Sequence, residues 1–204
     1  SLSAEEIDEL YNSSAGKYYV QSDMDIGVSA NDTADTNNDD IKNIIDWRLD
    51  GSSIAVLNMP FEGGSNSTYT KDYSVYSNDG NVSGTEWNST GGYDGKGAYE
   101  FDGVDDDVII YHDSSLSFDD TASYTVSAWF KSLGSADYQR IIAKQSGAID
   151  NYLMRIDSGA GANKLKFFIG DDLVGISAGS VESTMNVEDG VWRLATAVVN
   201  RNDN

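Results

Sequence analysis

Short segments in which apolar and polar residues alternate are the feature that most restricts the fold of this chain. In SYTVSAWFKS, an extended backbone places Val126 and Phe130 on one face and Ser127 and Trp129 on the other. Clusters of Gly, Asp, Asn and Ser separate such segments, which predict strands at residues 55–61, 97–101, 107–111, 123–131, 139–144, 151–157, 164–170, 173–178 and 191–199. Regular short strands favour an all-β fold, an antiparallel β-sandwich.

The first 15 residues have a different pattern, which predicts a short N-terminal helix over residues 3–12. Ser3 is suited to cap its first turn, and Glu6, three residues later, completes a capping box. An alternative interpretation is the acidic catalytic strand of laminarinase-type glycoside hydrolases, which would use Glu6, Asp8 and Glu9. In a helix, Glu6 and Asp8 point about 200° apart and cannot share a cleft. We therefore assign no catalytic residue and predict that the chain is not an enzyme.

Residues 16–54 form a second region, which the sequence predicts to hold short extended segments and polar loops. The segment NIIDWRLDGSSIAVLNM predicts two strands joined by a turn at Asp50 and Gly51. An acidic loop precedes it, and its spacing of Asp35, Asn37, Asp39 and Asp46 resembles that of an EF-hand calcium loop. The glycine that such a loop needs for its sharp turn is replaced by an aspartate, so we predict a solvated turn there.

The charge balance excludes several classes of partner. The chain has 13 Lys and Arg against 34 Asp and Glu, a net charge of −21. Nucleic acid is therefore not an expected partner, because binding a polyphosphate requires a cationic surface. The acidity suits divalent cations, a salty exterior or simple solubility.

The absence of certain residue types excludes further chemistry. There is no cysteine, and His112 is the single histidine, so disulfides, thiolate catalysis and multi-histidine metal sites are excluded. Ser177 lies in a G-x-S-x-G sequence, GISAG, but no helix is predicted after it, so no serine lies in the strand-to-helix elbow of such a nucleophile. No apolar run approaches about 18 residues, so we predict no direct membrane insertion by this chain.

Glycosylation motifs favour an extracellular, cell-surface location. About three of the five N-x-S/T sequons would arise by chance from 16 asparagines, so the excess is modest. Their confinement to the first 90 residues nevertheless favours an exported, glycosylated surface. The predicted acceptors are Asn12, Asn31, Asn66, Asn81 and Asn88.

Several motifs, taken in order, resemble the pattern of laminin G-like, concanavalin A-like jelly-roll domains. They are VLNMPFEGG, GGYDGKGAYEFDGVDDDVIIYHDSSLSF, SYTVSAWFKS, RIIAKQ, NYLMRID, KLKFFIGD and DGVWRLATAVV. The resemblance covers about residues 55–199. It implies two curved antiparallel sheets, a mostly non-catalytic role in binding glycan or protein, and often a structural calcium ion. Asp107 departs from the pattern, because the family commonly has an aromatic residue there.

The same resemblance implies a domain arrangement. SLSAEEIDELY resembles the segment that closes such domains, so residues 1–15 are predicted to be the C-terminal helix of a preceding unit. Residues 16–54 are predicted to be a linker with short β segments, with a weaker resemblance to the end of an immunoglobulin-like module. Residues 55–204 are predicted to be a β-sandwich that lacks its last strands. Neighbouring domains or subunits of the same protein would complete it by strand addition.

The candidate site residues follow from side-chain chemistry. Hard oxygen ligands in turns suit Ca²⁺, and the candidates are Glu62, Asp102, Asp105, Asp106 and Asp107. The alternative is that these acids only form turns and promote solubility. Aromatic rings that stack on sugars are the candidates for ligand binding, namely Trp87, Tyr138 and Tyr152. Trp129 and Trp192 are interpreted as core residues inside strands.

Three classes of function remain open. The first is a non-catalytic recognition or adhesion module of a larger surface protein, binding glycan or protein. The second is a structural subunit of an extracellular filament or surface layer. The third is an accessory module of a carbohydrate-active enzyme.

Overall fold

The computed structural model describes residues 28–30, 45–49, 52–119, 121–134, 138–144, 152–157, 163–170 and 179–201. The predicted helix at 3–12, the acidic loop around residues 35–39 and the predicted strand at 173–178 lie outside these residues. The chain folds into two compact units. The first is Ser1–Glu100 with Asp107–His112, and the second is Phe101–Asp106 with Asp113–Asn204. The predicted domain boundaries remain predictions.

The described secondary structure consists of strands and one short 3₁₀-helix. The strands are β1 Val28–Ala30, β2 Ile45–Leu49, β3 Ser52–Ser53, β4 Tyr69–Thr70, β5 Gly80–Ser83, β6 Glu86–Asn88, β7 Ala98–Glu100, β8 Asp107–Ile110, β9 Tyr124–Phe130, β10 Gln139–Lys144, β11 Tyr152–Asp157, β12 Lys164–Ile169, β13 Gly179–Asn186 and β14 Arg193–Val199. The 3₁₀-helix is Ser114–Leu116, and the carboxylate of Asp113 caps it by accepting from the N–H of Ser115. Among these residues, no helix has the length and apolar character needed to cross a membrane.

The second unit contains two antiparallel sheets that share one core. One sheet has the order β10-β11-β12-β13, and the other pairs β14 with β9. Alternate residues of these strands face inward, as the period of two in a strand requires. The buried core comprises Val126, Phe130, Met154, Ile156, Phe167, Val187, Ala195 and Val199. The sequence prediction of an all-β antiparallel fold is confirmed.

The first unit contains three small antiparallel sheets. Their strand orders are β1-β2-β3, β4-β5-β8 and β6-β7. The ring of Tyr99 on β7 packs edge-on against Phe61, with centroids 5.0 Å apart, and its hydroxyl donates to the carbonyls of Asn66 and Tyr69. These hydrogen bonds connect β7 to the backbone of Asn66 and to that of Tyr69 on β4. The predicted pair of strands around Asp50 and Gly51 is confirmed by the pairing of β2 with β3.

The prediction of a strand at residues 55–61 is wrong. Phe61 has a φ of 61°, in the left-handed region, which is incompatible with an extended ladder. Side chains hold this backbone instead, because the N–H of Asn58 donates to Asp72 and the indole N–H of Trp87 donates to the carbonyl of Phe61. Backbone groups of this segment are therefore hydrogen-bonded to side chains instead of to a neighbouring strand.

Most of the remaining strand predictions agree with the structure. The predicted segments at 97–101, 107–111, 123–131, 139–144, 151–157, 164–170 and 191–199 contain β7, β8, β9, β10, β11, β12 and β14. Alternation did not predict β4, β5, β6 or β13. Trp192 lies just before β14, not inside it.

Candidate functional site

Three carboxylates meet in the segment 102–106 of the second unit, and we call them the acidic triad. Asp102, Asp105 and Asp106 each offer an oxygen, and these oxygens lie within 4.8 Å of one another. The N–H of Val104 donates to Asp102 Oδ1 at 2.8 Å, and the N–H of Asp102 donates to Asp106 Oδ2 at 2.7 Å. In the described part of the chain, no lysine or arginine forms an ion pair with the triad. The triad therefore presents negative charge that no described cation compensates.

The structure does not bring the other two predicted metal ligands into this cluster. Glu62 lies in the first unit and pairs with Lys96, whose Nζ is 3.5 Å from Oε2. Burial raises the pKa of Glu62, and the nearby Lys96 partly opposes that shift. Asp107 is exposed at the start of β8, opposite Ser83 on β5. Neither carboxylate belongs to the group of described acids that could hold one ion.

Tyr138 has an exposed aromatic ring that packs against the guanidinium of Arg155. Its side chain is 60% exposed, while the guanidinium of Arg155 lies 4.7 Å from the ring centroid. The same guanidinium lies 4.5 Å from the ring centroid of Phe168. Arg155 therefore makes cation–π contacts with two rings. Tyr138 itself has a φ of 63°, a conformation uncommon for a side chain of this size.

A row of charged residues crosses the outer face of the four-stranded sheet beside Tyr138. Arg140 on β10 lies opposite Arg155 on β11, Arg155 lies opposite Lys166 on β12, and Lys166 lies opposite Glu182 on β13. Residues opposite one another in a ladder share a face. We call Arg140, Arg155 and Lys166 the basic row.

Two carboxylates compensate part of the basic row. Asp157 Oδ1 is 2.6 Å from Arg155 Nε, and its Oδ2 is 3.2 Å from Lys166 Nζ. Glu182 lies 2.9 Å from Lys166, and these hydrogen bonds raise the pKa of Lys166, with Glu182 the larger influence. Within the described residues, no carboxylate forms an ion pair with Arg140.

Tyr152 lies in a different environment from Tyr138. The register places it at the other end of the β10–β11 pair, opposite Lys144. Its ring packs against Phe118 and Tyr124, with both centroid distances 5.8 Å, and it borders the buried core. Burial raises the pKa of Tyr152 to about 12. Its predicted ligand role stays a prediction, and these contacts favour a role in packing.

Trp87 belongs to β6 in the first unit. The ring is half-buried, and its indole N–H donates to the carbonyl of Phe61 at 2.9 Å. The indole N–H is therefore already hydrogen-bonded within the protein. Only the partly exposed ring of Trp87 is accessible to a ligand. The ligand role of Trp87 also stays a prediction.

Sequence reasoning missed an aromatic patch on the second unit. Trp129 is 45% exposed and lies opposite Leu194, which is 54% exposed, so the interpretation of Trp129 as a core residue is wrong. Lys131 Nζ lies 5.3 Å from the ring centroid of Trp192, which is half-buried. The alternation already placed Trp129 on the face opposite Val126 and Phe130, and that signal outweighs the usual preference of tryptophan for the core.

An apolar cleft opens between the two sheets of the second unit. It has a volume of about 580 Å³. Its lining comes from β11, β12, β13 and β14 and includes Met154, Leu165, Phe167, Ile169, Val181 and Val199. In the described residues, β13 and β14 each have a hydrogen-bonded neighbour on one side only. The cleft therefore lies beside strand edges able to accept another strand.

Three of the predicted glycosylation sites fall in described residues. Asn66 is exposed, and its Oδ1 accepts from the N–H and the hydroxyl of Thr68, both at 2.9 Å. Asn81 is exposed on β5. Asn88 is half-buried, and its Nδ2 donates to Glu100 at 2.8 Å. Asn12 and Asn31 lie outside the described residues.

Comparison with known families agrees with this architecture. A laminin G family profile, described as Concanavalin A-like lectin/glucanases superfamily, matches residues 102–204, which is half of the chain. The match contains the acidic triad, the basic row and both sheets of the second unit. No curated protein and no solved structure matches the chain. Domains of this type generally bind carbohydrates or proteins, although the superfamily also includes glucanases. The chain belongs to the concanavalin A-like lectin/glucanase superfamily and carries a laminin G-like domain.

Proposed function

We propose that this chain is a non-catalytic extracellular recognition or adhesion module that binds glycan or protein within a larger multidomain surface protein. The observation that carries the proposal is the exposed ring of Tyr138, supported from below by Arg155. A supported ring with one open face is suited to stack on the C–H face of a sugar or to anchor a protein contact. Because the support is part of the sheet, little conformational freedom is lost on binding.

The arrangement of the acids supports a non-catalytic role. Glycoside hydrolases use two carboxyl groups on opposite sides of the scissile bond, separated by about 5 to 9.5 Å. The acidic triad instead places its three carboxylates in one short turn. Three carboxylates in one turn suit a bound cation, whereas a glycosidase places its two carboxyl groups on opposite sides of the glycosidic bond.

A glycan array, combined with a binding assay on cell-surface proteins, tests this function. Wild-type protein is expected to bind a defined set of ligands, and Tyr138→Asn to lose most of that binding. Asparagine tolerates the left-handed backbone, so this variant removes the ring without adding strain. Tyr111→Asn, which removes an exposed ring from the first unit, serves as the matched control. Release of reducing sugars from β-glucans by the wild type would contradict the non-catalytic assignment.

We further propose that the acidic triad holds a structural Ca²⁺ ion. Calcium lies about 2.3–2.6 Å from its oxygen ligands, so ligands across the ion are separated by at most about 5 Å. The mutual distance of 4.8 Å fits that limit. The loop N–H groups of Val104 and Asp102 occupy only one oxygen each on two of the carboxylates. Glu62 and Asp107 are not included in the proposed site.

Thermal unfolding with and without Ca²⁺ tests the ion site. Millimolar Ca²⁺ is expected to raise the melting temperature of the wild type, because a ligand bound only by the folded state stabilises it. Asp105→Asn and Asp106→Asn should each remove most of the rise, whereas Asp94→Asn, in an exposed turn of the first unit, should preserve it. An equal rise with Mg²⁺, or no calorimetric heat with Ca²⁺, would reject the site.

The apolar cleft favours a second candidate function, a subunit of an extracellular filament or surface layer. A strand from a neighbouring domain or subunit would cover the cleft and pair with the edge of β13 or β14. Concentration-dependent assembly in light scattering is expected for the wild type. Val181→Glu, on the cleft, should reduce assembly, while Val75→Glu, an equally exposed valine of the first unit, should not. A strictly monomeric wild type at all concentrations would exclude this candidate.

The three described sequons differ in their suitability for glycan attachment. We propose that Asn66 and Asn81 are accepting sites in an exporting eukaryotic cell, because both side chains are exposed. Asn88 uses its amide to bind Glu100 and is the poorer acceptor. Glycopeptide mapping that found occupancy only at Asn88 would contradict this order.

A further inference from the structure

Five aspartate–glycine pairs occur in the chain, and they begin at Asp50, Asp79, Asp94, Asp102 and Asp189. In such a pair, the backbone nitrogen of the glycine can attack the carboxyl carbon of the aspartate. Glycine has no Cβ and therefore obstructs this ring closure less than any other residue does. The attack requires a nitrogen whose N–H is not held by an acceptor and a backbone that can rotate. The structure describes every pair except Asp50–Gly51, and the four described pairs differ in how firmly the glycine is held.

The fold restrains the glycine in three of the four described pairs. Gly80 is buried in β5, which has hydrogen-bonded neighbours on both sides. The N–H of Gly95 donates to the carbonyl of Gly92 at 3.1 Å, and the N–H of Gly190 donates to that of Ser132 at 2.9 Å. A donated hydrogen bond fixes both the proton and the orientation of the nitrogen. These three glycines are therefore poorly placed to attack the preceding carboxyl group.

Gly103, which follows Asp102, has none of these restraints. It is exposed, its φ is 80°, and no atom beyond its chain neighbours lies within 4 Å of the position that a Cβ would occupy. In the part of the chain that the structure describes, its N–H has no hydrogen-bond acceptor. The carboxyl group of Asp102 turns towards the same stretch of backbone, because its Oδ1 accepts from the N–H of Val104 at 2.8 Å. The reacting carbon and an unrestrained nitrogen are thus neighbours.

We propose that Asp102 is a modification site, at which the folded chain rearranges to isoaspartate faster than at its other described aspartate–glycine pairs. The nitrogen of Gly103 bonds to Cγ of Asp102, and the bond from Cγ to one oxygen breaks. That oxygen leaves as water, with the carboxyl proton and the amide proton. Water then adds to either carbonyl of the five-membered imide. One opening restores aspartate, and the other yields isoaspartate, in which the main chain runs through Cβ, so the net mass is unchanged and no oxidant or reductant is required.

The modification alters the acidic triad. Isoaspartate adds one methylene to the main chain and attaches the free carboxylate to Cα instead of Cβ. The hydrogen bonds that Asp102 forms with Val104 and Asp106 depend on the original spacing. This consequence rests on the proposed ion site, whereas the rearrangement itself does not. Protein aged until most of Asp102 is converted is therefore expected to lose most of the Ca²⁺-induced rise in melting temperature.

Incubation of the wild type at neutral pH in EDTA, followed by peptide mapping, tests the site. Isoaspartate in each peptide is quantified by labelling with isoaspartyl methyltransferase and by mass spectrometry. The folded protein is expected to accumulate several times more isoaspartate at Asp102 than at Asp94, which is also exposed and also precedes a glycine. In urea, both positions should react at similar rates, because unfolding removes the restraint on Gly95.

Variants separate the roles of the two residues. Asp102→Glu should abolish the modification at this position, because its imide would need a less favourable six-membered ring. Gly103→Asn places a Cβ beside the attacking nitrogen in a residue that tolerates the left-handed backbone, and it should slow the reaction severalfold. Gly95→Asn is the matched control, since Gly95 also has a φ of 80° and open space at the Cβ position, and it should leave Asp102 unchanged. Circular dichroism establishes that each variant is folded.

Calcium distinguishes this inference from the proposed ion site. Millimolar Ca²⁺ is expected to slow the modification of Asp102 severalfold, because coordination holds the carboxylate away from the nitrogen. Preferential isoaspartate at Asp102 at the same rate with and without Ca²⁺ would support the modification and reject the ion site. Equal isoaspartate at Asp102 and Asp94 in the folded protein, or none at either, would overturn the inference, and a Ca²⁺-induced rise in melting temperature would then still support the ion site.

Discussion

Asp72 shows how a single buried carboxylate organises the loops of the first unit. It is 2% exposed, and its Oδ1 accepts from the N–H groups of Asn58 and Ser74, both at 2.8 Å. Its Oδ2 accepts from the Ser74 hydroxyl at 2.6 Å and from the N–H of Asn78 at 2.7 Å. A buried charge is tolerated when several donors surround it. No pattern in the sequence distinguishes Asp72 from the many turn-forming aspartates of this chain.

Replacing Asp72 should therefore be costly. Asp72→Ala is expected to lower the free energy of unfolding by about 3 kcal/mol, because it leaves several loop donors without an acceptor. Urea denaturation followed by tryptophan fluorescence measures the change. Asp94→Ala, which removes an exposed turn hydrogen bond and a 3.8 Å ion pair, both with Lys96, should cost less than about 1 kcal/mol. Equal losses for the two variants would contradict the role of the Asp72 network.

Tyr152 should make stability fall at alkaline pH. Burial raises its pKa in the folded state to about 12, from an ordinary value of 10.0. Its contribution is therefore complete below pH 10 and is lost as the pH rises toward 12, since the unfolded chain ionises first. From pH 9.5 to 11.5, the wild type should lose about 1–2 kcal/mol more than Tyr152→Phe. Chemical denaturation at each pH measures this difference, and equal losses for the two proteins would contradict it.

At the scale of the element, β9 illustrates how far alternation predicts structure. The predicted strand at 123–131 agrees with Tyr124–Phe130, and inward residues such as Val126 and Phe130 are buried in the core. β4 and β6, with two and three residues, are too short for a period of two to be recognised by itself. Their positions depend on partners that are distant in sequence.

Neighbouring aromatic residues on β9 should differ strongly in their effect on stability. Phe130→Ala is expected to cost about 3–5 kcal/mol because it leaves a cavity in the shared core. Trp129→Ala, on the outward face, should cost about 1 kcal/mol, since nearly half of that side chain is exposed. Denaturant midpoints and m-values compare the two variants. Similar costs would show that Trp129 is packed against another part of the protein.

The candidate site was only partly predictable from the sequence. The acidic triad was predicted as part of a set of five acids, since its members occur within five residues of the chain. Tyr138 was predicted as a ligand-binding aromatic, but its partner Arg155 comes from β11, and Arg155 in turn contacts Phe168 on β12. Their meeting depends on the register of β11 with β12, which the sequence does not specify by itself.

At the scale of the whole molecule, charge is the dominant property. A net charge of −21 favours solubility in general, and it also causes electrostatic repulsion within the compact state. Within the described residues, some cations form ion pairs, such as Arg193 with Asp189, and this pair lowers the pKa of Asp189 to about 2. Most of the acids contribute repulsion over distances that salt screens.

Salt should consequently stabilise the protein. Raising NaCl from about 0.02 to 0.5 M shortens the screening length to a few ångströms and should raise the melting temperature by several degrees. Differential scanning calorimetry in EDTA measures this effect without a contribution from divalent ions. KCl should act equally, because screening depends on ionic strength. A melting temperature that falls with salt would show that attractive ion pairs outweigh the repulsion.

The sequence alone determined the fold class, the longer strands, the laminin G-like character and the excess of negative charge. These properties follow from local alternation and composition, which each segment carries by itself. Only the tertiary structure decided that Asp72 is a buried anchor and that Arg140 faces Arg155 beside Tyr138. The physical reason is that burial and cross-strand neighbours depend on register and sheet packing, which join residues far apart in the chain.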